Sequence, residues 1–206
     1  MIISLHRRQI SARKGQLSAS IAQQRSLHNE LNQMNNLHHQ RMDKVNELDH
    51  NARIACDFME KNRSQFRGHV YLPILTQINV NRSEYVRLVE TALGKRDLCT
   101  FLFELSDDLT NFCQQLYREH RSRVAVALVP RNITLEQCHC AFNVEHYANY
   151  KIFGSVRDLF TAPEHVMAYL CNSHALNKIP VGTFLVDALI LLYILRLFYS
   201  ISIGTQ

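Results

Sequence analysis

The chain spaces its apolar residues in two ways, and the change falls within Gly68–Val80 (GHVYLPILTQINV). Upstream, from about Ile10 to Asn62, there is no proline and a single glycine, Gly15, among many Gln, Glu, Arg, Asn and His. With Ile10 at heptad position a, the a positions read Ile10, Leu17, Gln24, Leu31, His38, Val45 and Ala52. The d positions read Arg13, Ser20, Leu27, Met34, Arg41, Leu48 and Ala55. Nine of these fourteen are apolar, the pattern of a coiled-coil seam interrupted at Gln24, His38 and Arg41. A helix of this length runs roughly 80 Å at 1.5 Å per residue, too long to fold back onto a domain. The pattern therefore predicts an arm that needs a second strand.

Downstream the spacing alternates between strand-like and helix-like. Gly68 is expected to release the chain from helical geometry, because it lacks a Cβ. The apolar residues Val70, Tyr71, Leu72, Ile74, Leu75, Ile78 and Val80 then begin a β-rich block around Pro73. Asn81 with Glu84 reads as a capping box and Gly94 as a helix stop, around an apolar face of Tyr85, Leu88, Val89, Ala92 and Leu93. Leu98–Phe103 (LCTFLF) predicts a buried strand. Ser106 is the expected cap of the next helix, with Asp107 and Asp108 in its first turn. Its apolar stripe is Leu109, Phe112, Cys113, Leu116 and Tyr117. Arg123–Val129 (RVAVALV) predicts a strand buried on both faces and stopped by Pro130. Arg131–Tyr150 reads as a long loop, a length that suits a functional excursion or a hidden element. Order returns at Ser155–Phe160, in a helix from Pro163, and in an extended piece at Ile179–Thr183. Strands alternating with helices place the block in the α/β class. The expected organisation is a coiled-coil arm over 1–66, a domain over 67–183 and an atypical hydrophobic tail over 184–206.

Charge sharpens this division. Residues 1–67 carry 11 Lys/Arg against 6 Asp/Glu, and residues 68–206 carry 12 against 12, so the net +5 belongs to the arm. The tail Phe184–Ile203 is long enough to span a membrane, but Asp187 and Arg196 lie inside it and oppose insertion. A tail-anchored protein displaying a coiled coil is the alternative reading, and a membrane partner is not expected. The six cysteines show no framework spacing and are expected to be free thiols of a reducing compartment.

Little in the chain suggests catalysis. Cys138-His139-Cys140 with His146 lacks the paired thiolate spacing of a structural zinc site, so no metal is expected there. No phosphate loop of the form G-x-x-x-x-G-K-[ST] occurs, and Gly94-Lys95 lacks both the earlier glycine and the following hydroxyl. No nucleophile, base and orienting carboxylate stand at useful spacing, and no cofactor is expected. The densest basic cluster of the domain is Arg118, Arg121 and Arg123 around His120, with Arg131 one strand further on.

Five segments carry a resemblance to a known family. They are Gly68–Val80, Asp97–Glu104 (DLCTFLFE), Arg123–Pro130 (RVAVALVP), Val156–Cys171 (VRDLFTAPEHVMAYLC) and Ile179–Thr183 (IPVGT). In that order they are similar to the hinge of the structural maintenance of chromosomes (SMC) proteins, over about 115 residues. The resemblance implies a non-catalytic hinge with the end of the arm that enters it. It implies pairing with the hinge of a second family member, protein 6 of the family. It also implies work on chromosomes in the nucleus, in DNA repair and recombination. Single-stranded DNA is an implied ligand, with Arg118, Arg121, Arg123 and Arg131 as candidate contacts. After Thr183 the chain departs from the family pattern, and the tail is expected to be a truncated or misread end rather than a working anchor.

Overall fold

A computed structural model of the protein describes residues 2–182. The chain forms two compact units, Met1–Lys44 and Val45–Gln206. The expected hydrophobic tail lies outside the described residues. Among those residues, no helix is long and apolar enough to cross a membrane.

The described residues of the first unit are helical, as part of helix α1 (Ile2–Leu48). Leu17, Leu27, Leu31 and Met34 of the heptad seam stand exposed, Met34 at 71%. The helical path is interrupted at Asp49, whose extended backbone (φ −153°) and carboxylate cap helix α2 (His50–Asn62) by accepting from the Asn51 N–H. Ala52 and Ala55, which the heptad assigns to a partner strand, are instead buried within the second unit.

At the centre of the second unit is a three-stranded sheet of β1 (Val70–Tyr71), β3 (Phe101–Phe103) and β4 (Val126–Leu128), in the order β1-β3-β4. β1 pairs antiparallel with β3, and β4 pairs parallel with it. Side chains alternate across a strand, so β3 serves two cores. Phe101 and Phe103 meet Phe112 of α6 (Ser106–His120) at 5.5 and 5.1 Å between ring centroids, with Phe58 of α2 and Phe66 closing the cluster. Leu102 joins the opposite core, with Ile74, Val89, Leu93, Leu159, Val166 and Leu170. That core is walled by α4 (Val86–Ala92) and α7 (Glu164–His174).

Gly68 is required by close approach rather than by an unusual φ. A Cβ there would lie 2.8 Å from Leu105 Cγ, and its N–H donates to Asp108 Oδ2 at 2.7 Å. The helix expected to end there has already ended at Asn62, followed by a 3₁₀ turn over Arg63–Gln65.

Several local expectations are corrected. The apolar run after Pro73 contains a helical turn, α3 (Ile74–Gln77), before β2 (Asn79–Val80). Asn81 caps no helix, because its side chain donates to the Asp158 carbonyl and its N–H to Leu159 O. Gly94 (φ −60°, ψ 163°) is extended and precedes the helical turn α5 (Lys95–Leu98) rather than stopping α4. Leu98 therefore ends a helix, and strand β3 begins only at Phe101. Leu105, not Ser106, is the cap residue of α6. β4 is a sheet edge, which leaves Leu128 46% exposed instead of buried on both faces.

The long loop holds two 3₁₀ elements, Leu135–Cys138 and Val144–Tyr150. Thr134 and Gln137 close a capping box on the first, and buried Asn177 fastens it by donating to the Gln137 and His139 carbonyls. β5 (Ile152–Ser155) then pairs antiparallel with β7 (Pro180–Gly182), across a bulge between Ile152 and Gly154. β6 (Phe160–Thr161) pairs with β2. Pro163 is the cap residue of α7 rather than its first helical residue.

Candidate nucleic-acid interface

The last turn of α6 builds the candidate site. Residues four apart on a helix share a face, so Asp108, Phe112 and Leu116 point into the protein. Tyr117 lies one residue beyond that row and is turned outward, 43% exposed. The helix closes on Arg121, which adopts a left-handed conformation (φ 54°) and donates its N–H to the Tyr117 carbonyl at 3.0 Å. That reversal carries the next residues back past the helix end. The guanidinium carbons of Arg121 and Arg123 come to lie 5.4 and 5.2 Å from the Tyr117 ring centroid. Both distances are within cation–π range.

Arg123 also faces a cavity of roughly 340 Å³, lined besides by Lys95, Arg96, Leu48, Asp49, Val124 and Ala125. Among the described residues its wall carries three cations and one carboxylate, and that carboxylate is engaged in capping α2. The excess of cations suits an anion.

The four arginines expected from the sequence are divided by the fold. Arg121 and Arg123 come together on Tyr117. Arg118 is exposed on α6. Arg131 lies past the other end of β4, where it donates to the Glu104 carbonyl at 3.5 Å. The Glu104 carboxylate accepts there from the His69 N–H and the Tyr71 hydroxyl. Burial, and then the Glu104 charge, push the Tyr71 phenol above its ordinary pKa.

Sequence reasoning misses Tyr117, Lys95 and Arg96. Tyr117 falls on the predicted apolar stripe because aromatic residues usually serve it. The one available signal is its offset by one position from the Asp108-Phe112-Leu116 row. Lys95 and Arg96 are hidden behind Gly94, which reads as a helix stop.

The Cys138-His139-Cys140 segment, where no metal is expected, is given over to packing. Cys138 is buried against α7, where its carbonyl lies 3.8 Å from the Cys171 thiol, while the Cys140 thiol donates to Phe142 O. His139 and His146 are exposed.

Comparisons with known proteins bear on this geometry. No family profile matches the chain. Over 130 residues, 62% of its length, the chain is 28% identical to structural maintenance of chromosomes protein 5 of Caenorhabditis elegans, and it spans 12% of that protein. In fold it is similar to the crystal structure of the S. pombe Smc5/6 hinge domain. The TM-score is 0.70 at 18% identity, covering 76% of this chain and 57% of that one. The SMC hinge domain of Geobacillus stearothermophilus matches at a TM-score of 0.48 and 17% identity, over 82% and 69% of the two chains. The resemblance read from the five segments is thus found again in sequence and in fold. The described residues have the architecture of an SMC hinge, and the fold match is to a hinge and not to an ATPase head.

Proposed function

We propose that this chain works as the hinge end of an SMC-type protein 5, non-catalytic in itself, which pairs with the hinge of protein 6 and contacts single-stranded DNA. The observation that carries the reading is the coincidence of the two comparisons. A sequence similar to protein 5 adopts the fold of an Smc5/6 hinge. The exposed row Leu17, Leu27, Leu31 and Met34 supports an arm that takes a second helix. The cations gathered at the end of α6 support contact with phosphates, whose charge dominates affinity for nucleic acid. Nuclear, chromosomal work in DNA repair and recombination belongs to the same proposal, as do the boundaries of arm and hinge at residues 66 and 67.

The pairing is tested by co-expressing the chain with a protein 6 hinge and measuring mass by light scattering. A one-to-one complex is expected, and two separate species would refute the pairing. DNA binding is tested with Arg118, Arg121 and Arg123 all changed to Glu. Affinity for single strands should fall for every base sequence. The slope of log affinity against log salt should flatten by about 0.7 for each phosphate that is no longer neutralised. Unchanged affinity and slope in a folded variant would remove the interface from the end of α6.

A further inference from the structure

Arg123 links the cavity to the ring that it flanks. Arg123 belongs to both, since its guanidinium lies over Tyr117 and the residue lines the cavity with Lys95 and Arg96. We infer that the two form a subsite for one nucleotide of a single strand, with its phosphodiester in the cavity and its base on the Tyr117 ring. This inference rests on the DNA reading above and gives it a place and a mode.

Three observations carry it. The cavity wall sets three cations against one carboxylate, which is already committed to the Asn51 N–H. Lys95, Arg96, Tyr117, Arg121 and Arg123 are all exposed, so a strand reaches them without opening the core. Arg121 holds a left-handed backbone that a glycine would take with less strain, in the one turn that brings a second guanidinium to the ring. A base arriving on Tyr117 replaces a guanidinium on the ring face, and the freed arginine meets the adjoining phosphates. Duplex DNA keeps its bases stacked inside and offers no base to the ring, so the site selects single strands.

The test uses the full chain with three probes, an oligo-dT strand, the same strand made abasic, and dTMP. Lys95→Gln with Arg96→Gln should weaken both strands and reduce the salt slope by about 0.7, the value for the one phosphate left without these cations. Tyr117→Ala should weaken oligo-dT about tenfold, as removal of one stacking platform does, and leave the abasic strand unchanged. All three substitutions are at exposed positions, and thermal melts will confirm folding. If the Lys95/Arg96 variant keeps full affinity and slope while the arginine charge reversals lose them, the cavity is not the phosphate site and the general DNA reading survives. If Tyr117→Ala weakens both strands equally, the ring is a prop for the arginines and the base-stacking half is overturned. If dTMP binds as tightly as the strand, the cavity is a small-molecule pocket and the inference fails. If no variant and no probe shows binding, both readings fall together.

Discussion

Arg121 carries the clearest conflict between backbone and side chain. Its left-handed conformation costs an L-residue about 1–2 kcal/mol, and its cation–π contact at an exposed ring returns about 0.5–1 kcal/mol. Arg121→Gly should therefore leave stability equal or raise it by up to about 1.5 kcal/mol, while weakening affinity for single-stranded DNA. Urea melts and fluorescence anisotropy on the same preparation check both halves. A drop in stability would show that the side chain serves the fold. The thiols make a second prediction at this scale. Burial pushes Cys56 and Cys171 up to about 12 and Cys99 to about 11, from an ordinary 9.0. A group whose pKa is raised by folding contributes stability below its unfolded value and loses it as pH climbs towards the folded one. Melting temperature should thus decline from about pH 9 to 12, and Cys56→Ala should flatten that decline. At neutral pH these buried thiols should resist iodoacetamide until the protein unfolds, as mass spectrometry of alkylated peptides will show.

The elements divide between those supported by packing on both sides and those held by single interactions. β3 and α6 are of the first kind. Phe112 meets the rings of Phe58, Phe66, Phe101 and Phe103 within 6.3 Å. Phe112→Ala should cost about 3–5 kcal/mol, measured by denaturant unfolding, and a cost under about 1 would mean that the aromatic cluster repacks. The first unit is of the second kind. A peptide of residues 1–44 should show only partial helicity at low concentration, rising as it associates, because isolated helices draw little stability from propensity. Full helicity by circular dichroism in a dilute monomer would contradict an arm that needs a partner. The same division explains what is legible in the sequence. The 3.6-residue stripe locates α6, and the run FLF marks β3, because burial on two sides leaves a dense apolar signature. Asn81 misleads because its local signal is satisfied elsewhere. The Asn81 amide goes to a carbonyl nearly eighty positions on, a distance that no window of sequence contains. The cavity is invisible for the same reason, since Asp49, Lys95 and Arg123 meet only through tertiary structure.

At the scale of the whole molecule, the expectation concerns nucleotide chemistry. The chain has no phosphate loop, and its fold match is to a hinge, so it should neither bind nor hydrolyse ATP. Isothermal calorimetry showing stoichiometric ATP binding would overturn this. The two cores of the second unit also differ in when their parts become available. The sheet β1-β3-β4, with α2 and α6, has all its strands once Leu128 has been made. The stretch 131–157 must wait longer. Ala141 waits for the Asn177 carbonyl, Val156 for Ile179, Arg157 for Leu176, and β5 for β7. On a ribosome the chain appears from its N-terminus, and segments fold as their partners emerge. The first core can therefore close while the following residues still trail, exposed to proteases and chaperones, until the closing segment 176–182 leaves the tunnel. Closure of the stretch 131–157 thus waits on Asn177 and the strand after it, the late keystone of the second core.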